Sequence, residues 1–479
     1  MSAAFGRVAA AVVCLLVSLS GAVPAGAAPR ALRWGPCPER PDDAAVRCAS
    51  IRLPVDWANP GGAGFTLALA MRPANGSAPH PGPLVMHPGG PGASGVDAVL
   101  HAEQWFSPDL LGRFDLVGFD PRGVARSAPV RCSADLVDRQ PFPIPATERE
   151  FRDLRAHNAR LGRDCAQHTG PVSGHLDATS VARDIDAIRA ALGAERISYY
   201  GLSYGTLVGE RYAELFPHRV RAMALDGVMD HSLDTGEFLR TQSAGVEDGF
   251  REFVAWCDRS STCALHGRDV AAAWDELVRR ADAGELPGPD GAPLSWWELS
   301  QSAAAAFSGP HWAEFARDIA DALAAPPSAR AASELLPDPL AVACQDWSFP
   351  VTGAAELARY DQRNRVVAPH VRGAALPWLL VSMCQGWPAP VRNPQHPLRV
   401  RTDLPVLLLN AVHDPQTPLS WARHVAGQLG ERGRLVTYRG WGHHAYGRNA
   451  CTTGAVDRYL IDRLVPPTGS DCPATGEDR

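Results

Sequence analysis

The 479-residue sequence contains no lysine, so all 46 of its basic residues are arginine. A pyridoxal Schiff base, a Walker-type phosphate loop and a serine–lysine dyad each require a lysine amine, so these chemistries are excluded. The sequence also has no basic block, and its formal net charge is −6. Nucleic acid is therefore not an expected partner.

Long apolar stretches are also missing, because none reaches the roughly 20 residues that a membrane-spanning helix needs. The most apolar segment follows Arg7 and leads to Ala25 and Ala27, the small-x-small pattern that signal peptidase accepts. We therefore expect residues 1–27 to be a signal peptide that is removed. The mature protein should then be secreted and carry no membrane anchor.

No CxxC pair and no HExxH sequence occurs, so nothing indicates a metal or an organic cofactor. The chain does have 11 cysteines, of which Cys14 lies in the predicted signal peptide. An even number in an exported chain predicts disulfide bonds. The spacing does not determine their connectivity, and the cysteines concerned are Cys37, Cys48, Cys132, Cys165, Cys257, Cys263, Cys344, Cys384, Cys451 and Cys472.

Strand-like apolar runs alternate with helical patterns through much of the chain. In one helical pattern, Val181, Ile185, Ile188 and Leu192 recur at helical spacing after Thr179 and Ser180, which are candidate caps. This alternation predicts an α/β fold with a mostly parallel sheet and helices on both faces. The strand-like runs are PLVMHP, FDLVGFD, ISYYG, VRAMALDG, LPVLLLNA and RLVTYRG.

The character of the sequence changes between residues 231 and 396, where alanine- and tryptophan-rich segments have helical patterns. We interpret residues 231–396 as a mainly helical cap that is inserted into the core. The core would then consist of residues 28–230 and 397–479. Most tryptophans of the insertion should serve packing, with one or two available to line a substrate cleft.

Ser203 is the candidate nucleophile, because it lies in the segment Gly-Leu-Ser-Tyr-Gly between a strand-like run and a helical pattern. A GxSxG sequence in this position is typical of a sharp, strained turn that holds the serine hydroxyl above the sheet. The glycine-rich run that begins at His87 lies upstream, where this arrangement places an oxyanion donor. We expect the N–H groups of Gly90 and Tyr204 to be the two donors and His87 to brace the loop.

The acid and the base should follow late strands, because the chain order is serine, acid, histidine. Asp414 ends the run LPVLLLNAVHD and is preferred over Asp226, which follows an earlier strand. His443 is preferred over its neighbour His444 as the base. These residues would carry out two-step acyl transfer, in which His443 takes the proton of Ser203 and later protonates the leaving amine.

The segments HPGGPGASG, GFDPRGVARS, YYGLSYGT, LDGV, HDPQTP and GWGH together resemble the tripeptidyl aminopeptidase-like α/β hydrolases secreted by actinomycetes, which are related to proline iminopeptidases. The resemblance spans nearly the whole mature chain and implies an α/β-hydrolase fold and peptide-bond cleavage at a free N-terminus. It does not determine how many residues leave per cut or the oligomeric state. An esterase or lipase with the same triad and a non-catalytic binding protein of the same fold are the alternatives.

An aminopeptidase must pair the ammonium of its substrate with a carboxylate. Candidates in and beside the predicted cap are Asp230, Glu237, Glu247 and Asp346. We select Asp346, because it lies between Cys344 and Trp347, where a disulfide could hold it and an aromatic ring could exclude water.

Overall fold

The computed structural model describes residues 32–286, 293–309, 311–324, 335–337, 339–373, 375–401 and 404–476. The predicted signal peptide lies outside these residues. The strands are β1 Arg47–Pro54, β2 Gly64–Arg72, β3 Pro83–His87, β4 Asp115–Phe119, β5 Arg131–Ser133, β6 Ile197–Leu202, β7 Val220–Asp226, β8 Leu335–Pro337, β9 Val406–His413, β10 Gly433–Trp441 and β11 Ser470–Cys472. The helices are α1 Gly95–Leu100, α2 Pro108–Arg113, α3 Ala134–Asp138, α4 Glu148–Thr169, α5 Ala178–Ala191, α6 Tyr204–Leu215, α7 Thr235–Arg259, α8 Val270–Asp282, α9 Trp296–Ser308, α10 Trp312–Ala324, α11 Ala354–Val367, α12 Ala375–Met383, α13 Leu419–Leu429 and α14 Ala450–Asp462.

A nine-stranded sheet forms the centre of the fold, in the order β1-β2-β4-β3-β6-β7-β9-β10-β11. The pairs β1–β2 and β2–β4 are antiparallel, and every other neighbouring pair is parallel. The six predicted strand-like runs correspond to β3, β4, β6, β7, β9 and β10. The predicted mostly parallel α/β sheet is therefore confirmed.

The sheet is buried on both faces, because successive side chains of a strand point to opposite faces. On β6, Tyr199 packs into one apolar cluster and Tyr200 into the other. The first cluster includes Ile185 of α5 and Leu207 of α6, whereas the second includes Val456 of α14. Packing on both faces holds this central strand in place, so the loop that leaves its carboxyl end has a fixed position.

Helix α5 begins earlier than its sequence pattern predicts. Its N-cap is Asp177, whose Oδ1 accepts a hydrogen bond of 2.9 Å from the N–H of Ser180. Thr179 and Ser180 are thus inside the first turn and do not cap it. Three candidate capping residues within four positions leave the choice to tertiary contacts, because aspartate and serine have similar preferences for this position.

Helices α7 to α12 lie between β7 and β9 in chain order. Four of them share an apolar cluster separate from the two at the sheet, and it includes Phe250, Trp274, Phe307 and Phe315. The boundaries of the predicted cap, residues 231 and 396, remain a prediction. The backbone N–H of His396 donates to the carbonyl of His231 over 3.1 Å, so the two ends of this segment meet.

The cysteines form five disulfide bonds between neighbours in the sequence: Cys37–Cys48, Cys132–Cys165, Cys257–Cys263, Cys344–Cys384 and Cys451–Cys472. The predicted disulfide bonding of the mature cysteines is thereby confirmed. Among the described residues, no helix combines the length and the apolar character that crossing a membrane requires.

Candidate active site

Ser203 occupies the sharp turn between β6 and α6, with φ of 56° and ψ of −124°. A non-glycine residue in this conformation is strained by roughly 1–3 kcal/mol. The turn is held because the N–H of Ser203 donates to the carbonyl of Asp226 on β7 over 2.9 Å. A Cβ atom on Gly201 would lie 2.4 Å from the carbonyl oxygen of Gly205, and one on Gly205 would lie 2.3 Å from that of His87. Both glycines are therefore required by close backbone packing.

His443 lies in the loop after β10 and is bonded to Asp414, which follows β9. Its Nδ1 is 3.1 Å from each carboxylate oxygen of Asp414. The carboxylate is also held by the N–H groups of Gln416 and Thr417, at 2.8 and 2.9 Å. The N–H of His443 donates to the carbonyl of Ser308 over 2.9 Å, which fixes the loop from the side of α9.

Burial lowers the pKa of His443, but the charge of Asp414 and its hydrogen bond to the ring outweigh burial. The net result is that the pKa of His443 lies above its ordinary value of 6.5. Because Nδ1 faces the carboxylate, Nε2 is the nitrogen free to exchange a proton with a serine hydroxyl. The geometry is that of an oriented general base.

The rival acid and the rival base occupy other positions. The carboxylate of Asp226 accepts the N–H groups of Ala445 and Tyr446, each at 2.9 Å, and the hydroxyl of Tyr200 at 2.9 Å. Asp226 therefore anchors the loop behind His443. The neighbouring His444 has a positive φ of 108°, and burial lowers the pKa of its imidazole. The structure thus brings Asp414, and not Asp226, into contact with His443.

The glycine-rich loop after β3 packs directly against the serine turn. A Cβ atom on Gly89 would lie 3.1 Å from Cβ of Ser203 and 3.2 Å from N of Tyr204. Tyr204 is the first residue of α6, so its N–H lacks an acceptor within the helix. Within the described ranges, the N–H of Gly90 donates to no other protein group. Two unused backbone donors beside the serine are what an oxyanion hole requires.

His87 braces this loop from below. It is 2 % exposed, and its Nδ1 accepts a hydrogen bond of 3.1 Å from the N–H of Gly89. Burial lowers the pKa of His87 to about 4, so the ring is neutral and can act as an acceptor at neutral pH. Its position inside the core leaves it no contact with a substrate.

A carboxylate–arginine cluster braces the loop from the other side, and sequence reasoning did not find it. Asp120 accepts a hydrogen bond of 2.5 Å from the hydroxyl of Ser94, which caps α1 at the end of the loop. Arg126 binds Asp120 at 3.1 Å and also pairs with Asp97 and Glu39. The segment GFDPRGVARS contains both Asp120 and Arg126, and its resemblance to the family, like that of HPGGPG, is the signal that could have pointed to the cluster.

Ser203, His443, Gly90 and Tyr204 line one cavity of about 310 Å³. Its remaining wall is mostly apolar and includes Met229, Phe238, Ala343, Trp347, Leu376, Leu380 and Trp421. The additional polar residues of the wall are Gln242, Ser308, Gln416 and Thr417. Among the described residues that line the cavity, none is acidic.

Asp346 does not line this cavity, which corrects its predicted role as the ligand of a substrate amine. It is fully buried behind Tyr204, and its carboxylate accepts hydrogen bonds from Ala178 N, Asn393 Nδ2 and the hydroxyl of Tyr204. Burial, followed by the charge of Asp177, raises the pKa of Asp346 to about 7. Because the carboxylate is fully buried and bound by three protein donors, it is not accessible to a ligand in the cavity.

The other candidate carboxylates also bind protein groups. Asp230 is buried and contacts His424 at 2.5 Å, whereas Glu237 is exposed and pairs with Arg240. Glu247 is buried and accepts the N–H groups of His370 and Val371. None of these three lines the cavity among its described residues.

Known proteins resemble this chain over most of its length. Residues 82–450 match the family described as alpha/beta hydrolase fold. The chain is 32% identical to serine protease Hip1 of Mycobacterium tuberculosis, over 92% of this chain and 91% of the relative. It is 33% identical to carboxylesterase B of the same species, over 92% and 89%. It is 30% identical to the tripeptidyl aminopeptidase of Streptomyces coelicolor, over 87% and 81%. The chain therefore belongs to the α/β-hydrolase family, as a serine hydrolase related to the tripeptidyl aminopeptidases.

Proposed function

We propose that the protein is a secreted serine exo-aminopeptidase that releases short peptides from free N-termini. The observation that carries this proposal is the Asp414–His443 pair at the cavity that Ser203 lines beside two free backbone donors. Asp414 orients His443, His443 removes the proton of Ser203, and the serine oxygen attacks the scissile carbonyl. Gly90 and Tyr204 N–H groups stabilise the tetrahedral oxyanion, His443 protonates the leaving amine, and water releases the acyl group.

The composition of the cavity wall favours release of several residues over release of one. When a single residue leaves, its ammonium is bonded to the carbon next to the scissile carbonyl. A carboxylate that pairs with it must then line the cavity beside Ser203, and no described lining residue is acidic. We therefore propose that the ammonium binds farther from Ser203, as the release of a tripeptide requires. A relative with 30% identity carries the name tripeptidyl aminopeptidase.

Phe238, Trp347 and Trp421 give the cavity an apolar, aromatic wall. Phe238 and Trp421 stack with a centroid separation of 5.4 Å, and Trp347 lies 6.1 Å from Phe238. An apolar side chain next to the scissile bond would bury its surface here and gain about 25 cal/mol per Å². A charged side chain would lose its hydration without gaining a partner.

Gln242 supplies a feature that suits a peptide better than a simple ester. Its Nε2 donates to the carbonyl of Gln416 over 2.6 Å, and its Oε1 is buried without a donor in the described chain. An unpaired buried carbonyl costs about 1–3 kcal/mol. We propose that a shift of the Gln242 side chain, which lines the cavity, presents this oxygen to an N–H group of the bound peptide, a donor that an acyl ester lacks.

Secretion is part of the proposal. Five disulfide bonds are typical of proteins that fold in an oxidising compartment. The predicted signal peptide at residues 1–27 would deliver the chain there.

A carboxylic ester hydrolase is the second candidate function. The apolar cavity without a described acidic lining residue favours it, and one relative carries the name carboxylesterase B. The triad and the oxyanion donors would be the same, because acyl transfer from an ester passes through the same tetrahedral intermediate.

A substrate panel distinguishes the two functions. Aminoacyl, dipeptidyl and tripeptidyl chromogenic amides, each free and N-acetylated, would be compared with fatty-acyl esters. Loss of a buried ammonium–carboxylate contact costs about 2–5 kcal/mol, so acetylation of the best peptide should lower kcat/KM by roughly 30-fold or more. Equal cleavage of free and acetylated peptides, or faster cleavage of simple esters, would reject the aminopeptidase in favour of the esterase.

A further inference from the structure

Asp346 connects four separate segments of the chain, although it lies outside the cavity. One carboxylate oxygen accepts Ala178 N at 2.9 Å and Asn393 Nδ2 at 2.8 Å. Its backbone carbonyl is 2.6 Å from Nε2 of His231. Its other carboxylate oxygen accepts the hydroxyl of Tyr204. Such a fully bonded carboxylate holds its neighbours in one geometry.

Of the residues that Asp346 binds, Tyr204 is the one that lines the cavity beside Ser203. Its backbone N–H is one of the two proposed oxyanion donors, the residue lines the cavity, and its hydroxyl donates to Asp346. Burial and the adjacent charge of Asp346 keep the pKa of Tyr204 well above its usual value. The hydroxyl therefore stays protonated at neutral pH and is the donor toward the ionised carboxylate of Asp346.

The surroundings of Asp346 are rigid. Cys344, two residues earlier, is bonded to Cys384 at the end of α12. The carbonyl of the preceding Gln345 accepts the N–H groups of Arg392 and Asn393, at 2.8 and 3.0 Å. These contacts hold Asp346 on both sides, so its carboxylate can keep the hydroxyl of Tyr204 in one position.

We propose that Asp346 is a positioning residue, which orients the N–H of Tyr204 toward the oxyanion through the tyrosine hydroxyl and does not bind the substrate amine. The proposal rests on Ser203 being the nucleophile, as in the proposed function. The N–H of Tyr204, the first residue of α6, has no acceptor within the helix, so no hydrogen bond of its own aligns it. A hydrogen bond that anchors the side chain limits how far this residue, and with it the peptide plane that carries the N–H, can shift. Loss of an entire oxyanion donor costs about 10²–10³ in kcat, and misalignment of one donor should cost part of this.

Three variants test the coupling: Tyr204→Phe, Asp346→Asn and the double variant. Tyr204→Phe removes only the hydroxyl, and Asp346→Asn keeps the size of the side chain and one acceptor oxygen. The matched control is Tyr212→Phe. Tyr212 lies on the same helix, is fully buried, and directs its hydroxyl at Asp186 over 3.4 Å, away from the cavity.

Each variant would be assayed with a free peptide amide, its N-acetylated form and a short acyl ester. We expect Tyr204→Phe and Asp346→Asn each to lower kcat about tenfold, with little change in KM and by the same factor on every substrate. The double variant should lose no more than the worse single variant, because both changes break one interaction. Affinity for a peptidyl aldehyde, which forms a tetrahedral adduct, should fall in proportion, and Tyr212→Phe should keep its kcat.

Three results would overturn the proposal. A loss in Asp346→Asn that is confined to KM and to free-amine substrates would make Asp346 an amine ligand after all. Unchanged kcat in both single variants, or an equal loss in Tyr212→Phe, would leave Asp346 with a structural role only. Ester hydrolysis reports on the serine turn whether or not peptides are the substrate, so failure of the aminopeptidase proposal leaves this test intact.

Discussion

Two walls of the cavity differ in how the chain builds them. The catalytic wall consists of Gly90, Ser203, Tyr204, Thr417 and His443, which lie in or next to the loops that follow β3, β6, β9 and β10. The cap wall consists of Phe238, Gln242, Trp347, Leu376 and Leu380, which come from α7, α12 and the segment before α11. Adjacent parallel strands bring the first set together, whereas long-range packing of separate helices assembles the second.

Because the two walls are built differently, we expect one to serve catalysis and the other to serve substrate selection. The carboxyl ends of parallel strands meet at one edge of a sheet, so the catalytic wall is fixed by the core. The cap wall carries much of the apolar surface and the unpaired amide oxygen of Gln242, and we expect these groups to select the substrate. Changes in the catalytic wall should therefore affect all substrates alike, and changes in the cap wall should discriminate among them.

The largest effect is expected at the nucleophile of the catalytic wall. Ser203→Ala should lower kcat on the order of 10⁴-fold or more on peptides and esters alike, with the fold intact. Ser300→Ala is the matched control, because Ser300 is a buried serine whose hydroxyl binds the carbonyl of Gly373 and does not line the cavity. Steady-state rates together with circular dichroism would check this. Near-native turnover by Ser203→Ala would remove Ser203 from the mechanism.

The two buried aspartates at this edge should separate into a chemical and a structural role. Asp414→Asn should lose on the order of 10⁴-fold in kcat, because the amide no longer orients and stabilises the protonated His443. Asp226→Asn should retain far more activity but lower Tm, because Asp226 holds Ala445 and Tyr446 by their N–H groups. Rates and thermal denaturation of both variants would test this, and the reverse ranking of activity would make Asp226 the acid.

A change in the cap wall should act selectively. Gln242→Leu removes the proposed acceptor for a peptide N–H and should lower kcat/KM for peptide amides about tenfold, in line with a hydrogen bond of 1–1.5 kcal/mol. Hydrolysis of a short acyl ester by the same variant is the internal control and should change little. A uniform loss on both substrates would place Gln242 with the catalytic wall and refute the division.

The smallest expected effect is a shift in the pH dependence. A protonated His443 cannot accept the proton of Ser203, so activity is present above its pKa and is lost as the pH falls through it. Because Asp414 raises this pKa above 6.5, the acid limb of kcat/KM should have its midpoint above 6.5. The charge of Arg448 lowers the same pKa, so Arg448→Gln should move the midpoint upward. A midpoint below 6.5, or a downward shift in this variant, would contradict the assignment.

The difference between the two walls also explains which parts of the fold and of the site could be predicted from the sequence. Six strands and the positions of Ser203, Asp414 and His443 follow from local patterns, because a strand end and the residue after it are neighbours in the chain. The three-residue strands β5, β8 and β11 were missed, because so short a run carries no periodic signal. The antiparallel strands β1 and β2 were also missed.

Asp346 shows why the cap wall could not be predicted in the same way. Its neighbours Cys344 and Trp347 indicated a rigid, dry position, and the structure has both features. Whether a carboxylate in that position binds the protein or a substrate depends on its contacts with Tyr204, Ala178 and Asn393. The nearest of these residues in sequence is 47 residues away. A pattern along the chain contains no record of such contacts, so a buried brace and a substrate ligand look alike.

Covalent labelling can identify the nucleophile and the base of the catalytic wall in one experiment. A fluorophosphonate would be reacted with the wild-type protein and with the His443→Ala and His444→Ala variants, and the modified residue would be mapped by peptide mass spectrometry. We expect a single modification on Ser203, formed at a similar rate in His444→Ala and far more slowly in His443→Ala. Labelling of another residue, or slow labelling in His444→Ala with normal labelling in His443→Ala, would contradict it.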